Sequence, residues 1–269
     1  MKRLIITGDD FGLSRKVNEA IEKAHRQGVL TAASLMVGAS ASLDAVDRAR
    51  RLPSLKVGLH VVLVDGVPLS SRQEIPDLLD EKGLFSPHLV RAGINFFTRP
   101  EVRKQLKAEM EAQFGAFKKT GLYLDHVNTH HHMHLHPTLS SILLKVGKKY
   151  GMRAVRLPYE PLIPSWRASE KSLLQRGAAW LLLLPWVTLL KRRFRRARLR
   201  TNDFVFGMND SGHMHLDFIL RLVKFLPQGV TEIYFHPGDN INELEALTHP
   251  AMPQVLRDSQ IQTISFSDL

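Results

Sequence analysis

The stretch Leu4-Ile5-Ile6-Thr7-Gly8-Asp9-Asp10-Phe11-Gly12-Leu13-Ser14-Arg15-Lys16-Val17 decides the fold. It opens on residues with the apolar character of a short buried strand. It turns where two glycines bracket two carboxylates, and then its period changes. Over 14–27 the apolar residues Val17, Ala20, Ile21 and Ala24 recur at helical spacing. Ser14 is placed to cap the first turn, and Gly28 stands at the position just past the last. This strand–turn–helix unit is the first of a series. Strands are expected at 31–37, 55–62, 122–128, 153–157, 231–235 and 262–266, with helices at 42–51, 100–119, 138–150, 218–226 and 250–258. Such alternation favours a parallel sheet with helices outside it. About seven units in one chain predict an α/β fold, a distorted (β/α) TIM-like barrel of seven strands. One domain over 1–269 is expected, with insertions near 64–100 and 160–205, the second helical, apolar and then basic.

Composition bounds the chemistry. The chain has 269 residues, 44% of them hydrophobic, which excludes a disordered chain. It has no Cys, which excludes disulfides, a thiolate nucleophile and thiolate metal sites. The formal net charge is +11, but Lys191, Arg192, Arg193, Arg195, Arg196, Arg198 and Arg200 contribute seven of those charges without an acid among them, leaving +4 elsewhere. The basicity belongs to one segment, which argues against nucleic acid as the partner. The N-terminus meets charged residues too soon for a signal peptide, and the expected location is cytoplasmic.

In a parallel barrel, functional side chains gather at the C-terminal ends of the strands. Asp9 and Asp10 follow the first strand, His60 lies near the end of the third, and Asn128 to His134 follow the fourth. Arg156 is on the fifth strand and His236 closes a late one. These residues are far apart in the chain yet share one rim. Adjacent residues on an extended chain point apart, so Asp9 and Asp10 are expected to do different work, one binding a metal and the other acting as general base. The run from His126 to His136 holds six of the chain's 13 His. On an extended segment His126, Asn128, His130, His132 and His134 would share a face. Imidazole is a common ligand for divalent metals. His236 suits a general acid, and Arg156 either holds Asp9 ionised or binds substrate.

Together, Gly8-Asp9-Asp10-Phe11-Gly12, the Gly58-Leu59-His60 triplet, the His126–His134 run, Arg156 and the late Phe235-His236-Pro237-Gly238 resemble the YdjC/ChbG family of carbohydrate deacetylases, in collinear order over nearly the whole chain. The resemblance implies a divalent cation held by Asp10, His60 and His130, with Asp9 as base. His236 as acid follows by analogy with wider polysaccharide deacetylases. It points to Mg2+, whereas softness of the ligands suits Zn2+, Fe2+ or Ni2+. The implied reaction is hydrolysis of an N-acetyl group on an amino sugar. Alternatives are a chito-oligosaccharide deacetylase, another metal-dependent hydrolase such as one acting on a phosphate ester, or a surface-binding protein with a non-catalytic metal site.

Residues 178–190 are mostly apolar, include Trp180, Pro185 and Trp186, and run directly into the basic segment. They are expected to be too short to span a bilayer but suited to an anionic membrane surface through 178–200, on the inner face of the membrane. This segment makes the chain resemble the hopanoid-associated HpnK branch of the family, which implies a lipid-linked N-acetylglucosaminyl substrate. A packed helical hairpin, or a contact in a homo-oligomer, is the other reading of the segment.

Overall fold

The computed structural model describes residues 1–169 and 172–269. Seven strands, β1 (Lys2–Phe11), β2 (Ala32–Leu35), β3 (Lys56–Val61), β4 (Val127–Thr129), β5 (Phe204–Phe206), β6 (Gly229–Phe235) and β7 (Ile261–Thr263), form one sheet. Every pairing is parallel, in the order β4-β3-β2-β1-β6-β5. β6 runs along one edge of β1, so the other edge is shared, with β7 against Lys2–Leu4 and β2 against Thr7–Phe11. Parallel bridges from Val127 to Val155 and from Ala154 to Arg200 continue the curl beyond β4. The result is the expected distorted barrel.

The helices α1 (Arg15–Gln27), α2 (Ser42–Arg50), α3 (Leu89–Thr98), α4 (Pro100–Lys119), α5 (Pro137–Lys149), α6 (Leu162–Ser169), α7 (Leu173–Arg196), α8 (Leu216–Phe225), α9 (Ile241–Thr248) and α10 (Met252–Asp258) flank the sheet. α1 forms as its sequence requires: the Ser14 hydroxyl accepts from the Val17 amide, and Val17, Ala20, Ile21 and Ala24 are buried. Gly28 does not serve through left-handed backbone, as its φ is −131°. A Cβ there would lie 2.2 Å from the Leu247 carbonyl oxygen, so glycine is needed for close approach to α9. α4 buries Val102, Leu106, Met110, Phe114 and Phe117. Its buried Gln113 hydrogen-bonds both backbone groups of Val62, and its buried Glu109 accepts from the amides of Leu69 and Ser70. These polar contacts pin the chain leaving β3 and hold its upstream end at the rim.

Several elements depart from the sequence reading. Residues 153–157 make isolated bridges instead of a strand, while the short Phe204-Val205-Phe206, hidden between polar flanks, is a true strand. Helices α3 and α9 occupy stretches to which the sequence reading assigns no element. α7 is longer than the thirteen apolar residues suggested, because the basic run continues the helix to Arg196. At 24 residues it is long and apolar enough, by length and composition, to cross a membrane, and little of it is buried. One side packs on the barrel through Val187, Leu190 and Phe194. Its start is fixed by the buried Arg176, which pairs with Asp210 at 2.6 Å, and its end by Arg193, which donates to the Pro137 carbonyl and to Ser140 and Ser141.

Removing Asp210 leaves the buried Arg176 with Glu160, at 3.8 Å, as its remaining acidic partner, and breaking a buried pair typically costs up to about 3–5 kcal/mol. Asp210→Ala is therefore expected to lower the urea midpoint by a corresponding amount. An unchanged midpoint would show that α7 is not anchored there.

Candidate metal centre

All strands run in parallel, so their C-terminal ends form one rim, and the expected residues meet there. The strand β1 does not deliver Asp9 and Asp10 as an ordinary extended chain would. Gly8 pairs with Ala33 but Phe11 with Leu35, so one extra residue is accommodated between them. Asp10 takes up the bulge with φ +63°, a left-handed conformation that Asp tolerates better than most residues. Consequently both carboxylates join one buried cluster, correcting the expectation that they point apart.

Asp9 is held by Arg156, whose NH1 and NH2 donate to its two oxygens at 2.6 and 3.0 Å, and by the Asn128 amide at 3.0 Å. Arg156 is fully buried and also donates to Glu232 from Nε and NH2 at 2.9 and 2.8 Å. Tyr234 covers the guanidinium with its ring. Burial opposes ionisation of Asp9, but the Arg156 charge overrides it and holds the carboxyl well below the usual range. Of the two readings of Arg156, the geometry therefore supports holding Asp9. Its side chain is closed to a substrate.

Asp10 Oδ1 lies 3.2 Å from His60 Nε2 and 3.4 Å from His130 Nδ1, and those two nitrogens are 3.3 Å apart. Burial works against its charge, and the two imidazoles outweigh that, so its carboxyl also lies well below the usual range. At His60 burial disfavours the proton but Asp10 prevails and raises its affinity, whereas at His130 burial prevails and lowers it. His236 stands at the mouth, its Nε2 3.9 Å from Asp10 Oδ2, with its side chain 23% exposed.

The donor chemistry of this triangle fits a cation. His60 Nδ1 meets Asn128 Oδ1 at 2.7 Å, and the Asn128 amide nitrogen must face Asp9, which only accepts. His60 therefore carries its proton on Nδ1 and presents a lone pair from Nε2. Asp10 Oδ1 is buried and has no hydrogen-bond partner among the described residues. Three electron-rich atoms at 3.2–3.4 Å match the ligand–ligand spacing of about 3.3 Å that tetrahedral bonds of about 2.0–2.1 Å require. Two buried carboxyl groups, Asp9 and Glu232, also face a single guanidinium. A second grouping, Asp65, His130 and His131, shares His130 but is exposed at its other two members.

The His-rich run does not stay extended. His126, Asn128 and His130 share the inward face through β4, after which residues 130–135 coil into a 3-10 segment with His131 and His132 at φ +52°. His132 meets the Tyr234 hydroxyl at 2.9 Å, and His134 is locked between Thr129 and the Arg156 carbonyl. Burial pushes His134 down to about 3, so it is a neutral structural residue. Glu232 and Tyr234 were not singled out from sequence. The signal was available, since a glutamate two residues from a tyrosine in an apolar strand places both on one face.

The sequence profile of the YdjC-like protein family matches residues 3–258. The chain belongs to this family. A carbohydrate deacetylase of Brevibacillus brevis is 32% identical over 270 residues, covering 99% of each chain. One from Vibrio cholerae is 40% identical over 149 residues, covering 55% of this chain and 56% of that one. Among solved structures, an Enterococcus faecalis protein described as a cellobiose-phosphate cleavage protein superposes with a TM-score of 0.76 at 24% identity, covering 99% of this chain and 98% of that one. That likeness concerns the fold.

The lowered proton affinity of Asp9 makes a signed prediction. A depressed carboxylate contributes stability that is present above its unfolded value of 3.8 and is lost as pH falls through its folded value. The stability gap between the wild-type chain and Asp9→Asn should hold from neutral pH down to about 4 and shrink as pH falls further. A gap that stays constant below about 4 would contradict the Arg156–Asp9 assignment.

Proposed function

We propose that the chain, read as one barrel domain, is a metal-dependent carbohydrate deacetylase that removes an N-acetyl group from an amino sugar. The observation that carries this reading is the convergence of Asp10 Oδ1, His60 Nε2 and His130 Nδ1 in one buried cluster. The similarity of carbohydrate deacetylases over the full length supports it. Asp10, His60 and His130 would hold the cation, which supplies Lewis-acid chemistry at an amide carbonyl. Two imidazoles favour a borderline ion such as Zn2+, while the family resemblance points to Mg2+.

The residues around that position have separable work. Asp9 accepts the proton of the attacking water. Arg156 keeps it ionised at every working pH and fixes its orientation, so Arg156 acts through Asp9. His236 reaches both the cluster and solvent, and it donates a proton to the departing amine. Asp10→Ala and His130→Ala should each abolish both bound metal and acetate release from an N-acetylglucosaminyl substrate. Retention of wild-type turnover and metal content by both variants would overturn the site.

The finer substrate reading is a lipid-linked, hopanoid-borne N-acetylglucosaminyl group, met by the enzyme at the inner face of the membrane. What supports it is the surface of α7, where Leu182, Trp186 and Leu189 are exposed on one stripe that continues into Arg193. The same stripe ends at a groove of roughly 610 Å³ whose charged residues, Arg103, Lys104, Lys107, Lys145 and Arg193, are all basic. Both ends of α7 are tied to the barrel, so the helix lies along the surface like an interfacial helix instead of crossing the bilayer. Vesicles containing anionic lipid should sediment the wild-type chain, and the triple variant Leu182→Glu, Trp186→Glu, Leu189→Glu should stay in solution. Equal, negligible pelleting of both would remove the membrane reading, and acetate release from soluble chitobiose alone would favour a chito-oligosaccharide substrate.

A further inference from the structure

A second cluster of titratable and nucleophilic groups lies inside the barrel, away from the rim, and the reaction above does not use it. Asp125 Oδ2 faces His126 Nδ1 at 2.9 Å, and His126 Nε2 faces the Ser34 hydroxyl at 3.0 Å. All three residues are at most 2% exposed. The order resembles a hydrolytic triad, but no substrate reaches a serine this deeply enclosed. The cluster leads elsewhere: Ser34 Oγ lies 2.9 Å from the Asn128 amide nitrogen, and Asn128 Oδ1 meets His60 Nδ1 at 2.7 Å.

Each proton in this chain has only one place to be. Asp125 Oδ1 accepts from the Ser267 amide at 2.9 Å, and its carboxyl is held below the usual range because the His126 contact outweighs burial. An ionised Asp125 only accepts, so His126 donates from Nδ1, and in the neutral imidazole its Nε2 is then a bare acceptor. The Ser34 hydroxyl therefore donates to His126 and offers its lone pairs to Asn128. Asn128 must then present N–H to Ser34, as it must to Asp9 on its other side, which leaves its carbonyl oxygen for His60 Nδ1–H. Bonds aligned head to tail in a dry interior reinforce one another. The backbone is shaped to admit the chain: a Cβ at Gly58 would come within 2.6 Å of the His126 ring, which stacks on Phe266 from elsewhere.

We infer that Asp125, His126 and Ser34 are positioning residues that, together with Asp9 and through Asn128, fix the His60 tautomer so that its Nε2 lone pair faces Asp10 and His130 before any cation arrives. The inference rests on the reading of Asp10, His60 and His130 as cation ligands. Partners behind a metal-binding histidine typically change metal affinity by 10–100-fold. Ser34, His126 and Asp125 stand one, two and three hydrogen bonds behind Asn128, so the lower end of that range, about tenfold, is the most to be expected.

Asp125→Asn is the decisive variant. The Ser267 amide keeps the side-chain oxygen on its side, so the new amide N–H points at His126 Nδ1 and reverses the direction of the chain with little change in shape. Nitrogen-15 NMR of the metal-free protein at alkaline pH should show His60 and His126 protonated on Nδ1 in the wild type. In Asp125→Asn, His126 should carry its proton on Nε2, the His60 resonances should shift, and Zn2+ affinity in a competition titration should fall by up to about tenfold. Ser34→Ala breaks the chain by deleting one hydroxyl and remains informative if Asp125→Asn does not fold. In the double variant Asp125→Asn should add nothing to Ser34→Ala. A His126 tautomer that switches while the His60 signals and Zn2+ affinity stay at wild-type values would overturn the inference, as would additive losses in the double variant. A wild-type chain that binds no Zn2+ yet shows coupled tautomers would instead count against the cation reading of the rim.

Discussion

One guanidinium organises the interior of this barrel. Arg156 is fully buried and joins Asp9 at the end of β1 to Glu232 in the middle of β6 by four hydrogen bonds. A buried arginine is tolerable only when its charge and its donors are matched, and two carboxylates match the fork geometry of the guanidinium. The consequence reaches beyond the pair. Asp9, kept ionised, can only accept, so it turns the Asn128 amide, and the amide in turn sets the His60 proton. The rim chemistry is thus oriented from inside by electrostatics, not by the loops that surround it.

The same arrangement leaves the interior with more carboxylate than cation. Asp9 and Glu232 share Arg156, while Asp10 faces imidazoles, of which His130 is disposed by burial to remain neutral. Excess negative charge in a low-dielectric site is costly unless neutralised, and three inward-facing lone pairs are the natural place for a divalent ion to do so. The bulge at Asp10 is the backbone's contribution. Without its left-handed turn the two adjacent carboxylates would lie on opposite faces of β1, and only one could join the cluster.

Much of this was legible in the chain. Alternating strand and helix periods around 4–28 predict the parallel barrel, and the rim rule then brings Asp9, Asp10, His60, His130, Arg156 and His236 together. What the sequence hid has physical causes. Phe204-Val205-Phe206 is too short to show a period, and residues 153–157 have strand-like composition but find only bridging partners. Histidine spacing suggested one long face, whereas the left-handed residues His131 and His132 end the alternation after His130. The Ser34–His126 contact joins residues 92 positions apart, and no local pattern announces such a pairing. Glu232 was readable as an acid in an apolar strand, but its partner became apparent only with the fold.

The central claim is that Asp10, His60 and His130 hold one divalent cation per chain. X-ray absorption spectroscopy of the Zn2+-loaded protein, with metal content measured on the same sample, tests it most directly. The account predicts one equivalent of metal with scattering from two imidazoles in a shell of nitrogen and oxygen at about 2.0–2.1 Å. Metal below one equivalent that washes away, or a shell of oxygens without imidazole, would contradict it.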